Sequence, residues 1–332
     1  MNRADYLALF DRIDDHGADA RFHWASGPRA GEADPWDGDP ASLPGAPARG
    51  LGEACRETGD ACGFAETLMG EPRLVIAGAG HVGTAFAHIA VLLGFRVTVI
   101  DERPEFATGE RLPAGVRVLC GGYAETLAAL PDYANSYYVL VTPGHRQDRE
   151  SAQACLAKPF EYVGMIGSRG KVAAVNAALA EAGVPAEKIA ALHAPIGLPL
   201  GGREPAEIAV AIAAEVVTVR NSRPRGTFDP AVRDIIEGLA HRPEREAVLA
   251  TIIGHGGSAP RGTGSRMLVD IDGPLAGSVG GGAVEHAVIL AAQEMLRVGP
   301  EVDLADYELS DREGASLGMI CGGRIRVLFE VL

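Results

Sequence analysis

Apolar positions change their spacing several times along the chain. Residues 1–20 place apolar side chains at helical intervals among acidic ones and predict a short amphipathic helix. Gly, Pro, Ala and Asp then dominate, above all between Gly27 and Gly52, which predicts an irregular, partly extended stretch. From Arg73 the pattern alternates. Leu74–Ala77 reads as a strand, the next segment as a helix stopped at Gly94, and Arg96–Ile100 as a second strand, together a βαβ unit. Apolar runs at Val116–Cys120, Tyr137–Val141 and Tyr162–Ile166 continue the sheet, with a helical segment after Asp148. The predicted class is α/β: a Rossmann-type, doubly wound parallel sheet with helices on both faces. A helix at Lys171–Ala182 is closed by Gly183, and another opens at Pro205 with Ile208, Ile212, Val216 and Val219 on one stripe.

Between Asn221 and Arg245 the chain is charged and proline-punctuated, a connector with one helix around Pro230–Ala240. Beyond it, Ala247–Ile253, Arg266–Ile271 and Arg324–Val331 read as strands, Asp272-Gly273 as a turn and Val284–Arg297 as a helix. The expected organisation is an N-terminal helix and irregular segment (1–71), a Rossmann-type nucleotide-binding domain (72–222) and a glycine-rich α+β domain (223–332).

A chain of 332 residues fits two domains better than one. Its formal charge of −14 opposes general nucleic-acid binding, because a phosphate backbone meets mostly negative surface. No signal-type core is present at the N-terminus, and no uncharged apolar run approaches the roughly 20 residues of a membrane span, so a cytoplasmic protein is expected. The five cysteines are scattered without a Cys-x-x-Cys pair, which indicates thiols and no structural metal site.

Against that background the glycine turn Gly78-Ala79-Gly80-His81-Val82-Gly83 stands out by its context, after a buried strand and at the start of a helix. Glycines permit the tight turn and close backbone approach, and the helix N-terminus offers N–H donors and a positive dipole to a phosphate. Asp101, ending the next strand, is placed to accept from ribose hydroxyls, favouring an NAD-like ligand. A vestigial nucleotide fold that binds nothing is the competing reading. His81 either contacts a phosphate or faces solvent, and both readings stand.

A second loop, Gly164 to Lys171, places Gly167, Ser168, Arg169 and Lys171 at a strand's carboxyl end. Its cations either meet an anion or are solvated. In the last third, Gly256 to Gly264 contains Ser258 and Arg261, and Gly280-Gly281-Gly282 precedes Glu285. The triple glycine suits an oxyanion nest. Glu285 is a ligand contact, a general base or simply an acid favoured by the helix dipole. Cys321, flanked by Gly322 and Gly323, is either an inert thiol or an accessible one.

Together these residues resemble the XdhC/CoxI family, accessory proteins for maturation of xanthine dehydrogenase and related molybdenum hydroxylases. The resemblance runs from Arg73 to Leu332. It rests on the glycine turn with Asp101-Glu102-Arg103, the Gly164–Lys171 loop, His193 to Leu198, Pro205 to Ala209, Gly257 to Arg261, Gly280 to Glu285 and Leu317 to Gly323. It departs in two ways. The family's usual domain order is reversed, which implies exchange between chains or a permuted arrangement, and its Thr-His reads Thr142-Pro143-Gly144-His145 here.

The resemblance implies binding of molybdenum cofactor (molybdopterin), its maturation and its insertion into an apo molybdenum hydroxylase of xanthine dehydrogenase type. It further implies a cysteine desulfurase as a second partner and a homodimer. Candidate cofactor-binding residues are Gly78, Gly80, His81, Val82, Gly83, Asp101, Arg103, Gly167, Ser168, Arg169, Lys171, Ser258, Arg261, Gly281, Gly282 and Glu285, with Cys321 and Glu285 the candidates for chemistry. Two alternatives compete. One is an NAD-dependent oxidoreductase, although Glu285, His255 and His286 have no spacing that ties them into a proton-transfer set. The other is a nucleotide-sensing scaffold without catalysis.

Overall fold

The computed structural model describes residues 1–332 apart from 53, 223–225, 258, 260 and 310–322. The chain forms two compact units: Met1–Ile13, Asp19–Leu68 and Arg225–Leu332 make the first, and Asp14–Ala18 and Met69–Pro224 the second.

The N-terminal part is not irregular, a correction to the sequence expectation. After α1 (Arg3–His16), strands β1 (Ala18–Trp24), β2 (Ala33–Pro35), β3 (Ala46–Pro47), β4 (Cys55–Thr58) and β5 (Ala61–Met69) form a sheet in the order β2-β1-β5-β4-β3. The glycine-rich stretch supplies its short edge strands and turns. Strand β5, with the sequence ACGFAETLM, is buried along most of its length. Burial on both faces removes the polar alternation by which a half-exposed strand announces itself.

The second unit contains β6 (Arg73–Ala77), α2 (His81–Leu92), β7 (Arg96–Asp101), β8 (Arg117–Cys120), α3 (Tyr123–Ala129), β9 (Ser136–Leu140), α4 (His145–Leu156), β10 (Tyr162–Met165), α5 (Arg169–Glu181), α6 (Ala186–Ala190), β11 (Leu192–His193) and α7 (Pro205–Arg220). The strands are parallel in the order β11-β10-β9-β6-β7-β8. Successive residues of β6 serve opposite faces. Leu74 and Ile76 pack with Phe86, Ile212 and Val216 from α2 and α7, while Val75 and Ala77 join Leu127, Ala152 and Val175 from α3, α4 and α5. This is the expected doubly wound sheet. The chain moves outward from β6 to β8 and then returns to β9 beside β6, which leaves a crevice at the carboxyl ends of β6 and β9.

The first unit resumes with α8 (Pro230–Leu239), β12 (Val248–Gly256), β13 (Arg266–Asp270), β14 (Gly273–Gly277), α9 (Gly282–Val298), β15 (Val302–Leu309) and β16 (Gly323–Val331). These strands form an antiparallel sheet in the order β14-β13-β12-β16-β15. Strand β14 is the extended arm that the Asp272-Gly273 turn implies, whereas β15 was not anticipated. The first is a short hairpin arm with two glycines, and the second carries charge on its exposed positions. One core joins Tyr6, Leu9 and Phe10 of α1 to Ile236 of α8 and Leu249 of β12, and another joins Phe64 of β5 to Ile253 and Leu328. The N-terminal segment therefore completes the first unit instead of standing as a separate 1–71 region, and the Rossmann-type unit is inserted within that unit's sequence. No helix among the described residues is long and apolar enough to cross a membrane.

Candidate functional site

The glycine turn lies where β6 ends at the crevice. Gly78 has φ +119°, and a Cβ there would stand 2.4 Å from the Val141 carbonyl oxygen. A Cβ at Gly83 would fall 1.8 Å from the Gly78 carbonyl oxygen, so the missing side chain lets α2 sit against the turn. Gly80 caps α2 with its backbone alone, and a Cβ there would meet nothing within 4 Å. The exposed first turn at His81 and the half-buried Val82 thus retain N–H groups without a side-chain cap, the condition for receiving an anion.

Asp101, expected to accept from a ribose, has its carboxylate engaged within the fold. It is completely buried, and its carboxylate accepts from Ala79 N at 2.8 Å, from Arg103 N at 3.0 Å, and from Arg103 Nε and Nη2 at 2.9 Å. Burial alone raises its pKa, but the hydrogen bonds from Arg103 and from the Arg103 and Ala79 backbone outweigh that and hold it below the usual carboxylate range. Asp101 and Arg103 therefore brace the glycine turn from behind.

Lys171 is likewise engaged. Its ammonium forms an ion pair with Asp148, a completely buried residue in the first turn of α4, and Thr142 Oγ1 donates to the same carboxylate at 2.6 Å. Burial, the largest influence, raises the Asp148 pKa despite both partners. Ser168 caps α5 by accepting from Lys171 N at 3.3 Å, while Gly167 lies against the Lys171 stem and Arg169 is exposed. Of this loop's two cations, Arg169 is the one left to solvent. Thr142 was named in the sequence only within the departing Thr142-Pro143-Gly144-His145 motif and Asp148 only as the limit of a helix, neither as a site residue. Their signal was a hydroxyl at a strand's carboxyl end and an acid in the following first helical turn.

Glu215 on α7 was also missed. It accepts from Tyr162 Oη at 2.5 Å and Gly197 N at 2.9 Å and lies 3.4 Å from His193 Nδ1. Burial raises its pKa, but the hydrogen bonds from His193, Tyr162 and Gly197 prevail and lower it. The His193 to Leu198 motif is thus anchored by a helix residue outside it.

In the first unit Gly280, Gly281 and Gly282 have φ of +128°, +78° and +66°, a run that only glycine adopts without strain. The resulting nest is filled from within the chain. Glu285 accepts from Ser278 Oγ at 2.5 Å, Gly281 N at 3.1 Å and Val279 N at 3.2 Å, and the Ser278 bond leads in lowering its pKa. In this geometry it serves as an acceptor for the loop's own donors. Nearby, Thr227, Asp229, Arg261, Thr263, Ser265 and Ser278 line a cleft of about 610 Å³, within the usual range for small-molecule sites. Asp229 caps α8 by accepting from Ala231 N. Arg261 is exposed and has no carboxylate partner among the described residues. His255 Nδ1 accepts from Thr263 N at 3.3 Å, while His286 is exposed on α9. Ser258 and Cys321 lie outside the described residues. No cluster of three or more metal-ligating side chains occurs among the described residues.

A family model described as the XdhC Rossmann domain matches residues 74–216, and one described as the XdhC and CoxI family matches residues 240–308. Among curated proteins, Uncharacterized protein YqeB of Escherichia coli (strain K12) is 39% identical over 159 residues, which are 47% of this chain and 28% of that protein. A probable xanthine dehydrogenase subunit of Bacillus subtilis (strain 168) is 26% identical over 157 residues, 47% of this chain and 46% of that protein. The matches therefore span less than half the length of either relative. A crystal structure of a xanthine dehydrogenase from Bacillus halodurans has a TM-score of 0.45 at 20% identity, covering 67% of this chain and 65% of that one. The two family models fall in sequence on the Rossmann-type sheet and on the glycine-rich segment with its cleft, and the chain belongs to the XdhC and CoxI family.

Proposed function

We propose that this chain is an accessory protein that binds molybdenum cofactor as cargo, supports its maturation and passes it to a xanthine dehydrogenase-type hydroxylase. Membership of the XdhC and CoxI family supports an accessory role, and one relative is named as part of a probable xanthine dehydrogenase. The observation that carries the reading is how the candidate side chains are committed. Asp101, Lys171 and Glu285, three titratable groups at the glycine loops, are each held by partners of their own unit. What remains available is binding chemistry: hydroxyls and the exposed Arg261 in the first unit's cleft, and uncapped N–H groups at α2. The cargo's terminal phosphate suits an arginine among hydroxyls. Cys321 is the proposed sulfur contact to the metal. The apo hydroxylase, a cysteine desulfurase, a second copy of the chain and a cytoplasmic setting belong to the same proposal.

Equilibrium dialysis against isolated molybdenum cofactor, read by pterin fluorescence after oxidation, tests this. Retention by the parent protein is expected, weakened about tenfold in Arg261→Ser, the scale of one lost charge-assisted hydrogen bond. Equal retention by both proteins would remove the cleft from the proposal, and no retention would remove the cargo role.

A nucleotide at the α2 turn is a second reading, favoured by the open backbone at Gly80. With Asp101 engaged by Arg103, NAD and its 2′-phosphorylated form should bind within a few-fold of each other. A strong preference for NAD by calorimetry would show that a carboxylate does reach the ribose.

A further inference from the structure

The hairpin β4–β5 carries two cysteines that neither matched family segment covers. Cys55 pairs in register with Phe64, and Glu57 with Cys62. Because side chains alternate across a strand, Cys55 and Cys62 project from the same face, one diagonal step apart. Their sulfurs are 3.6 Å from each other. The two are not equivalent. Cys55 is completely buried, whereas Cys62 retains 7% exposure and faces the Arg326 guanidinium, with Nη1 3.7 Å from Sγ. Arg326 is itself fixed by two hydrogen bonds to Asp306, at 2.7 and 2.8 Å, so its charge is held beside the sulfur. The thiol–thiol contact with Cys55 is the main influence lowering the Cys62 pKa. Burial opposes it and Arg326 assists, while the Cys55 pKa is raised.

Two thiols in contact, one of them beside a fixed guanidinium, are the arrangement of an attacking and a resolving cysteine. Packing alone accounts for two small buried side chains in contact, but not for a guanidinium held by Asp306 against the Cys62 sulfur.

We propose that Cys55 and Cys62 form a two-electron thiol–disulfide site in which Cys62 reacts with a small peroxide and Cys55 resolves the product. In the first step the Cys62 thiolate attacks one peroxide oxygen. The O–O bond breaks, a sulfenic acid forms at Cys62, and the departing hydroxide leaves as water with one proton. In the second step Cys55 gives up its proton and attacks the Cys62 sulfur, expelling the sulfenic hydroxyl as a second water. Two thiols and one hydrogen peroxide thus give one disulfide and two waters. The sulfurs must close from 3.6 Å to the ~2.0 Å of the bond. A dithiol reductant restores both thiols by two successive exchanges.

The test uses the full chain, treated with equimolar hydrogen peroxide at pH 7, alkylated and mapped by mass. A linked peptide pair containing Cys55 and Cys62, 2 Da lighter than the thiols and reversed by dithiothreitol, is expected. In Cys55→Ser the sulfenic acid should persist at Cys62 and be trapped by a cyclic dione. Arg326→Met should slow the first step several-fold while circular dichroism remains unchanged. Should that variant fail to fold, mapping of the parent protein decides alone. Oxidation at the exposed Cys120 with Cys55 and Cys62 left as thiols would overturn the proposal. So would conversion of Cys62 to a sulfinic acid without the cross-link.

Discussion

Removing the cation in Lys171→Met leaves the buried Asp148 carboxylate with Thr142 as its remaining side-chain hydrogen-bond donor. Breaking a buried pair from one side typically costs about 3–5 kcal/mol, and a loss near the lower end is expected in urea denaturation at pH 7. The pH dependence follows from the direction of the shift. Asp148 is raised in the fold, so the folded state holds its proton over a window above the ordinary aspartate value, and stability falls as pH rises through that window. The variant should therefore recover part of its deficit at acid pH, and a deficit constant from pH 4 to 7 would contradict this assignment. Sequence placed Lys171 at a strand's carboxyl end, where its cation would either meet an anion or be solvated; it meets one, a side chain 23 positions earlier. Asp101 followed the same course. Both positions were legible as polar groups at a crevice, while their partners depend on three-dimensional neighbours that spacing along the chain does not encode.

Within the β6–α2 element pair, the two glycines of the turn should behave differently. Gly83→Ala forces a Cβ to 1.8 Å from a backbone oxygen, and overpacking of this kind costs about 1–3 kcal/mol or more, visible as a lower melting temperature. Gly80 has φ −68° and open space around it, so Gly80→Ala should melt within about 1 °C of the parent while weakening any phosphate held at the helix N-terminus. Equal destabilisation by both changes would mean that the turn is packed differently. The βαβ unit was readable because Leu74 to Ala77 is a continuous apolar run and Val97 to Ile100 is apolar but for Thr98, the two separated by a glycine turn and a helix stop. Strand β5 was not, because its burial includes Glu66 and its small residues carry no period. Strand β15 hid behind Asp303, Asp306 and Glu308 on a sheet edge.

Across the first unit, a buried charge network ties strands from both ends of the sequence. Arg266 Nη2 donates to both oxygens of Glu66 at 2.7 and 2.5 Å, and His23 Nε2 lies 2.8 Å from the same carboxylate. Burial opposes ionisation of Glu66, but Arg266 and His23 win and lower its pKa to about 2. For a depressed carboxylate the stabilisation is complete above the unfolded value near 4.5 and is lost as pH falls towards 2. Glu66→Gln should flatten the acid limb of the stability curve and lower the plateau at pH 7, and an unchanged acid limb would contradict the network's role. Such a network explains why 1–68 belongs with 225–332, a union invisible to local patterning because its members stand 200 positions apart. The order of the two matched family segments was readable from their motifs, whereas the insertion of one unit within the other was not.

The cargo role is tested most directly by isolating the full chain from molybdenum-replete cells, releasing whatever it holds, and identifying it by absorbance and mass. A pterin phosphate present in amounts comparable to the chain, and diminished in Arg261→Ser, is the expected result. NAD as the sole bound molecule, together with turnover of NADH and a carbonyl substrate, would contradict it.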